Sequence, residues 1–189
     1  ADHWYNLSAI DVKTDKATPV VAILGNSITD GRGSTTNHQN RWTDFLSDAL
    51  NAEKPYGVLN LGIGGNCVVE GGLSEPAMKR FDRDILGQTG VDKLIIFEGT
   101  NDIGCCGGNY EHVTDTLIAC YKVLIAKAKA KGIKVYGGTI TPKKGKGRKE
   151  GGHEAMRQKV NEWNRKSGER DEATEADELN RDRKERQRE

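Results

Sequence analysis

Short apolar runs rich in β-branched residues alternate along this chain with longer segments whose apolar residues recur at helical spacing. The short runs predict strands and the longer segments predict helices, because the two structures repeat their side-chain faces with different periods. The predicted strands are Val20–Leu24, Gly57–Leu61, Lys93–Phe97 and Ile133–Ile140. The predicted helices are Trp42–Asn51, Glu75–Leu86, Val113–Lys131 and His153–Lys166.

This order of elements predicts a three-layer α/β sandwich with a mostly parallel central sheet. Strands separated by connections of this length pair in parallel through right-handed crossovers, and helices then cover both faces of the sheet. A chain of 189 residues has room for one such domain.

The apolar residues are concentrated before Thr141. Hydrophobic residues make up 35% of the chain, but only seven of the 48 residues from Pro142 to Glu189 are apolar. We therefore expect an N-terminal extension or remnant of a preceding module over residues 1–18, the folded domain over 19–168, and a highly charged tail over 169–189. A mixed-charge tail has too little apolar surface to offset its ordering entropy, so we expect an exposed helix or an irregular segment.

Charge and cysteine usage exclude several classes of partner. The net charge is +1, which gives no general attraction to nucleic acid or to anionic lipid. The longest apolar runs are far shorter than the roughly 18 residues that a membrane span needs. The four cysteines form no CxxC pair and no Cys/His pattern typical of zinc, so no metal and no membrane or nucleic-acid partner are expected.

Three loops that follow predicted strands contain the unusual residues, namely Gly25–Gly31, Asn60–Asn66 and Glu98–Asp102. Parallel strands bring such loops to one sheet edge, which is where ligands bind in open α/β sheets. Ser27 follows its strand by a short turn, either as a nucleophile at a sharp elbow or as a helix-capping serine.

The other two loops offer hydrogen-bond donors. Gly62, Gly64 and Gly65 either expose backbone amides or serve a tight turn, and Asn101 is either a side-chain donor or a turn residue. A hydroxyl and two donor groups at one edge are what acyl transfer needs. Nucleotide chemistry is less favoured, because Cys67 breaks the G-x-G-x-x-G pattern and the chain has no phosphate-binding G-x-x-x-x-G-K-[ST] loop.

These three blocks resemble those of the SGNH, or GDSL-type, hydrolases. The first block has Asn26 where the family usually has Asp, and the match covers roughly Val20 to Gly168. The string GNSITDGRGSTTN and the segment RFDRDIL are most similar to the arylesterase and acylhydrolase branch found beside xylan-degrading enzymes. The resemblance implies that Ser27 is the nucleophile and that the amides of Ser27 and Gly65 and the side chain of Asn101 form the oxyanion hole. It also implies no cofactor and a secreted or periplasmic location.

The family's last block, a D-x-x-H segment after a fifth strand, has no counterpart in this sequence. No histidine follows His153, and the segment from Arg170 to Glu175 is too polar for a buried strand, so we expect the sheet to lack its usual last strand. The four histidines are His3, His38, His112 and His153. None is assigned as the base, although His38 lies in the loop after Ser27.

The expected function is that of a serine esterase or acylhydrolase acting on acetyl or small acyl esters of carbohydrates or aryl alcohols. Loss of the Asp/His segment is expected to reduce this esterase activity strongly. The alternative is a non-catalytic module that binds acylated glycans. Reaction with an organophosphate separates the two, because a binding module has no activated serine.

Overall fold

A computed structural model describes residues 10–14, 17–105, 107–142 and 150–174 of the chain. The strands are β1 (Val20–Gly25), β2 (Gly57–Gly62), β3 (Val91–Phe97), β4 (Lys134–Gly138) and β5 (Glu172–Thr174). The helices are α1 (Ser27–Asp30), α2 (Trp42–Asn51), α3 (Ala77–Phe81), α4 (Thr100–Gly104), α5 (Tyr110–Ala130) and α6 (Glu150–Lys166), and α3 continues as a π-helical turn over Asp82–Leu86.

The five strands form one parallel sheet in the order β2-β1-β3-β4-β5. The predicted α/β class with a parallel sheet is therefore confirmed. Gly25 at the end of β1 aligns with Gly62 of β2 and with Phe97 of β3, so these three strands end at one level. The strand order reverses between β1 and β3, which opens a crevice above their carboxyl ends.

The expectation that the sheet lacks its last strand is wrong. β5 pairs in parallel with β4, from Glu172 opposite Tyr136 to Thr174 opposite Gly138. Polar residues are tolerated here because β5 is three residues long and lies at the sheet edge, and only strands covered on both faces need continuous apolar sequence.

The predicted exposed tail is also wrong for its first residues. Asp171 donates its backbone N–H to the Val135 carbonyl at 2.8 Å, and its carboxylate accepts from the Val135 N–H at 2.7 Å. The Arg170 side chain is buried and lies over the rings of Tyr121 and Trp163, at 5.0 and 5.2 Å from their centroids. Residues 169–174 therefore belong to the fold, whereas residues 175–189 lie outside the described part.

The core lies between the sheet and its helices. Its buried side chains include Leu24 of β1, Ile96 of β3 and Leu124 of α5. The predicted apolar stripe of α6 also packs here, because Met156 and Val160 are buried and Trp163 stacks on Tyr121 at 5.8 Å. No helix in the described part of the chain is long and apolar enough to cross a membrane.

Candidate active site

The loop after β1 places Ser27 at the carboxyl ends of the strands. Asn26 is buried and extended, and its Oδ1 accepts a hydrogen bond from the Ile28 N–H at 3.0 Å, which caps α1. Ser27 is the first helical residue and is half-buried. Its hydroxyl makes no hydrogen bond with any described residue, so it is available to a ligand.

Two glycines let α1 lie directly on the strand ends. A Cβ at Gly25 would lie 2.1 Å from Thr29 Oγ1, and a Cβ at Gly62 would lie 2.4 Å from the Asp30 nitrogen. The Gly62 N–H is also occupied, since it donates to Asn60 Oδ1 at 3.0 Å. Gly62 therefore makes room for the Ser27 helix and is not a free donor, contrary to one expectation from the sequence.

The loop after β2 carries Gly65 with a free backbone N–H. Gly65 has φ +72°, and its carbonyl accepts from the Leu73 N–H at 3.2 Å. Its own N–H has no acceptor among the described residues, and the same holds for the N–H of Ser27. Asn66 holds the loop, because its buried side chain donates to Ser74 Oγ at 3.0 Å and to the Glu75 carbonyl at 2.8 Å.

The loop after β3 brings Asn101 against the Gly65–Asn66 loop. Asn101 lies in the first turn of α4, and its Nδ2 donates to the Asn66 carbonyl at 2.7 Å. One of its two amide hydrogens is used in this bond, and the other has no acceptor among the described residues.

Hydrogen bonds between side chains and loops tie the three strand ends together. Asn26 Nδ2 donates to Glu98 Oε2 at 3.0 Å, which joins the first loop to the third. Asn101 joins the third loop to the second. Arg80 then joins the second loop to β1, because it donates to Asn66 Oδ1 at 2.9 Å and to the Gly25 carbonyl at 3.4 Å.

Comparison with protein families shows which family the chain belongs to. The sequence model of the GDSL-like Lipase/Acylhydrolase family matches residues 23–188, which include all three loops. The chain belongs to this family. A comparison with curated proteins gives no match.

Solved structures with the same fold include one lipase/acylhydrolase and two esterases. The lipase/acylhydrolase from Enterococcus faecalis has a TM-score of 0.65 and 17% identity, over 86% of this chain and 78% of that one. The esterase EstA from Pseudoalteromonas sp., solved as a complex inhibited by monoethylphosphonate, has a TM-score of 0.60 and 19% identity, over 82% and 76%. The acetyl xylan esterase AlAXEase has a TM-score of 0.58 and 19% identity, over 81% and 75%.

The candidate site contains three buried ionisable residues to which the sequence reasoning gave no role. Arg80 is one, although it lies in the RFDRDIL segment. Its position one turn after Ala77, on the buried face of α3, is a signal that could have identified it. Asp102 is another, since its carboxylate accepts from the N–H groups of Val68 and Val69 at 3.0 Å each and so fixes the chain after Asn66.

Glu98 is the third buried ionisable residue of the candidate site. Burial raises the pKa of its carboxyl to about 8, although hydrogen bonds from Asn26 and from the Gly99 N–H act in the opposite direction. Burial likewise raises the pKa of Asp102, against its two backbone hydrogen bonds. Burial raises the pKa of the Cys67 thiol to about 12, so this neighbouring cysteine is not a nucleophile at neutral pH.

The described histidines do not contact Ser27. His38 is exposed in the loop after α1, and His112 is exposed near the start of α5. The His153 ring packs edge-on against Tyr110, with centroids 5.5 Å apart. His3 lies outside the described residues.

Neither prominent cavity coincides with the GDSL-like loops. A cavity of about 730 Å³ lies at the amino ends of the strands, where Val20, Gly57 and Lys93 line it. A second, of about 340 Å³, lies between α5 and α6 and is lined by Tyr110, Thr114 and Met156. The three loops define the candidate site, because they contain Ser27 and the donors that have no acceptor among the described residues. Among the described residues, no cluster of three or more His, Cys, Asp or Glu side chains is placed to hold a metal ion.

Proposed function

We propose that this chain is a serine esterase that removes acetyl or other small acyl groups from carbohydrate or aryl esters. One observation carries the proposal. Three loops that hydrogen bonds tie together contain a serine hydroxyl, two backbone N–H groups and one hydrogen of the Asn101 amide that have no partner among the described residues. This combination supplies a nucleophile and donors for a developing oxyanion.

The proposed reaction proceeds through an acyl-enzyme. Ser27 Oγ attacks the ester carbonyl, and its proton passes to solvent water as the new C–O bond forms. The N–H groups of Ser27 and Gly65 and the Asn101 amide donate to the carbonyl oxygen as it becomes negative. The bond to the alcohol oxygen then breaks, and that oxygen takes a proton from water. A second water attacks the acyl-serine and returns a proton to Ser27 Oγ as the acid is released. Donors held in place before the reaction stabilise the charge without reorganisation at that moment.

The substrate class is proposed from two similarities. The string GNSITDGRGSTTN resembles the branch of the family found beside xylan-degrading enzymes. One structure with this fold is an acetyl xylan esterase. Small acyl groups on sugars are therefore the first substrates to test.

The proposed enzyme is slow, because no described histidine lies on Ser27 to take its proton. A serine hydroxyl is a weak nucleophile at neutral pH without an adjacent base. The same observation favours the second candidate, a module that binds acylated glycans without hydrolysing them.

Labelling with a fluorophosphonate tests both candidates. We expect one phosphonyl group per chain on the Ser27 peptide by mass spectrometry, and none in Ser27→Ala. Asn101→Ala should label about 10²- to 10³-fold more slowly, because one oxyanion donor is lost. Ser47→Ala on α2 is the matched control and should label like the parent chain. An unlabelled parent chain that nevertheless binds acetylated xylo-oligosaccharides saturably would favour the binding module and contradict the esterase.

A further inference from the structure

A buried carboxyl lies beneath the Ser27 elbow and takes no part in the proposed chemistry. Glu98 follows β3 and is 2% exposed. Its Oε2 accepts from Asn26 Nδ2 at 3.0 Å and from the Gly99 N–H at 3.1 Å. Its backbone carbonyl accepts from the Tyr121 hydroxyl at 2.8 Å, a bond that involves the main chain and not the carboxyl group.

Asn26 transmits this restraint to the nucleophile. Its amide nitrogen is bound to Glu98 and its amide oxygen caps the Ile28 N–H, so both ends of the side chain are held. Ser27 is the next residue in the chain and begins α1. Rotation of the Asn26 side chain would break at least one of these bonds, and either loss would free the turn that orients the Ser27 hydroxyl.

The identity of residue 26 fits this interpretation. Glu98 Oε2 accepts a hydrogen bond here and needs a donor opposite it, which an ionised carboxylate at position 26 could not supply. Asn26 can donate with its nitrogen while still capping with its oxygen. The side chain of Asn26 therefore matches the accepting carboxyl group of Glu98.

We propose that Glu98 is a positioning residue for Ser27, acting through its hydrogen bond to Asn26. The inference rests on the proposed esterase function. A second feature supports it, because Glu98 Oε1 is buried and has no partner among the described residues. A buried unpaired polar atom is unfavourable for stability. Residues that break such local rules are expected at functional sites, where geometry matters more than stability.

Two pairs of variants test the proposal, with the rate of fluorophosphonate labelling of Ser27 as the measure. Glu98→Gln keeps an oxygen that can accept from Asn26 and the Gly99 N–H, so it should label within about twofold of the parent chain. Glu98→Met keeps the approximate volume but has no carboxyl oxygen, and it should label about 10- to 100-fold more slowly, because small misplacements of a reacting group have effects of this size.

Variants of Asn26 approach the same bond from the other side. Asn26→Ser keeps a capping oxygen for Ile28 but is too short to reach Glu98, so it should label as slowly as Glu98→Met. Tyr121→Phe is the matched control, since it removes the hydrogen bond to the backbone of residue 98 and leaves the carboxyl untouched. It should lower thermal stability and leave the labelling rate unchanged. Asn26→Ser also keeps the test decisive if Glu98→Met fails to fold.

The outcomes separate this inference from the function on which it rests. Folded Glu98→Met and Asn26→Ser chains that label as fast as the parent would overturn the positioning role and leave the esterase intact. A Glu98→Gln chain as slow as Glu98→Met would also overturn it, because acceptor geometry would then not be what matters. A parent chain that does not label would overturn the esterase itself and the positioning role with it. In that case the Asn26 side-chain amide signals, shifted in the NMR spectrum of Glu98→Met, would still report that the hydrogen bond exists.

Discussion

The Arg80 guanidinium spans the ends of the first two strands. It donates to the carbonyls of Leu61 and Gly25 and to Asn66 Oδ1, and it forms an ion pair with Asp84 at 3.1 Å. A buried charge is stable only when hydrogen bonds replace its lost water, and Arg80 has them on three sides. The candidate site therefore depends on Arg80, which takes no part in the proposed reaction and lies far from Ser27 in the sequence.

At the scale of single residues, the sequence predicted which loops form the candidate site. It did not predict the buried carboxyl groups that hold these loops in place. Ser27, Gly65 and Asn101 follow strands at one edge, and that position can be derived from strand order alone. Their catalytic roles remain predictions. Glu98 and Asp102 were not singled out, because partners distant in sequence decide whether a buried carboxylate is held, and the Asn26–Glu98 pair is 72 residues apart.

Glu98 gives a prediction about pH and stability. The ordinary pKa of the carboxyl is 4.5 and its folded value is about 8, so folding favours the protonated form. The contribution of this group to stability is therefore fully present below pH 4.5 and is lost as the pH rises toward 8. We expect the free energy of unfolding to fall between pH 5 and pH 8 by on the order of 3 kcal/mol more in the parent chain than in Glu98→Gln.

Urea unfolding of both chains at the two pH values measures this difference. The buried neighbour Asp102 is common to both chains, so its contribution cancels in the comparison. Equal changes in the two chains would contradict a buried, titrating Glu98.

At the scale of elements, the predicted order of strands and helices agrees with the structure up to α6. The bounds of α2 coincide with the prediction, because Trp42 and Asn51 delimit a clear apolar periodicity. The short helices α1 and α4 have four and five residues and leave no periodic signal. β5 was missed because its attachment depends on backbone bonds and on Asp171, which apolar patterning cannot reveal.

Truncation tests the attachment of β5. A chain ending at Gly168 should melt about 5–10 °C below a chain ending at Thr174, because it loses the β5 pairing, the Asp171 bonds and the packing of Arg170. Each kcal/mol corresponds to about 2–4 °C in a protein of this size. Asp171→Ala in the full chain is the graded control and should lose only part of this difference.

Differential scanning calorimetry measures the three melting temperatures. Identical values for chains ending at residues 168 and 174 would show that the last strand contributes nothing to stability.

At the scale of the whole molecule, the carboxyl ends of the strands bring the three loops together, and the family match covers all three of them. The net charge of the chain is +1, so the molecule as a whole carries little net field. Within the described residues, the fold places no histidine side chain beside Ser27. Whole-molecule activity is therefore expected to reflect donors and nucleophile alone.

We expect this chain to hydrolyse nitrophenyl acetate slowly and acetylated sugars hardly at all. Sites that keep an oxyanion hole without a complete triad retain about 10³ to 10⁴ over the uncatalysed rate. Activated aryl esters need less help because their leaving group departs without a proton donor. Release of nitrophenol measures the first rate, and release of acetate from acetylated xylan measures the second.

Histidine variants provide the controls for this activity. His38→Ala and His112→Ala should both leave the slow rate unchanged. Turnover of nitrophenyl acetate at several per second that disappears in His38→Ala would instead place the base in the loop after α1.

The bonds of Asp171 have a further consequence for how copies of this protein meet one another. The Val135 N–H and carbonyl both face outward from β4, and Asp171 occupies them with its carboxylate and its backbone N–H. An open strand edge is a template on which another chain can add a strand. A chain without residues 169–174 would expose the edge of β4. We expect such a chain to self-associate in concentrated solution, with turbidity that rises with protein concentration.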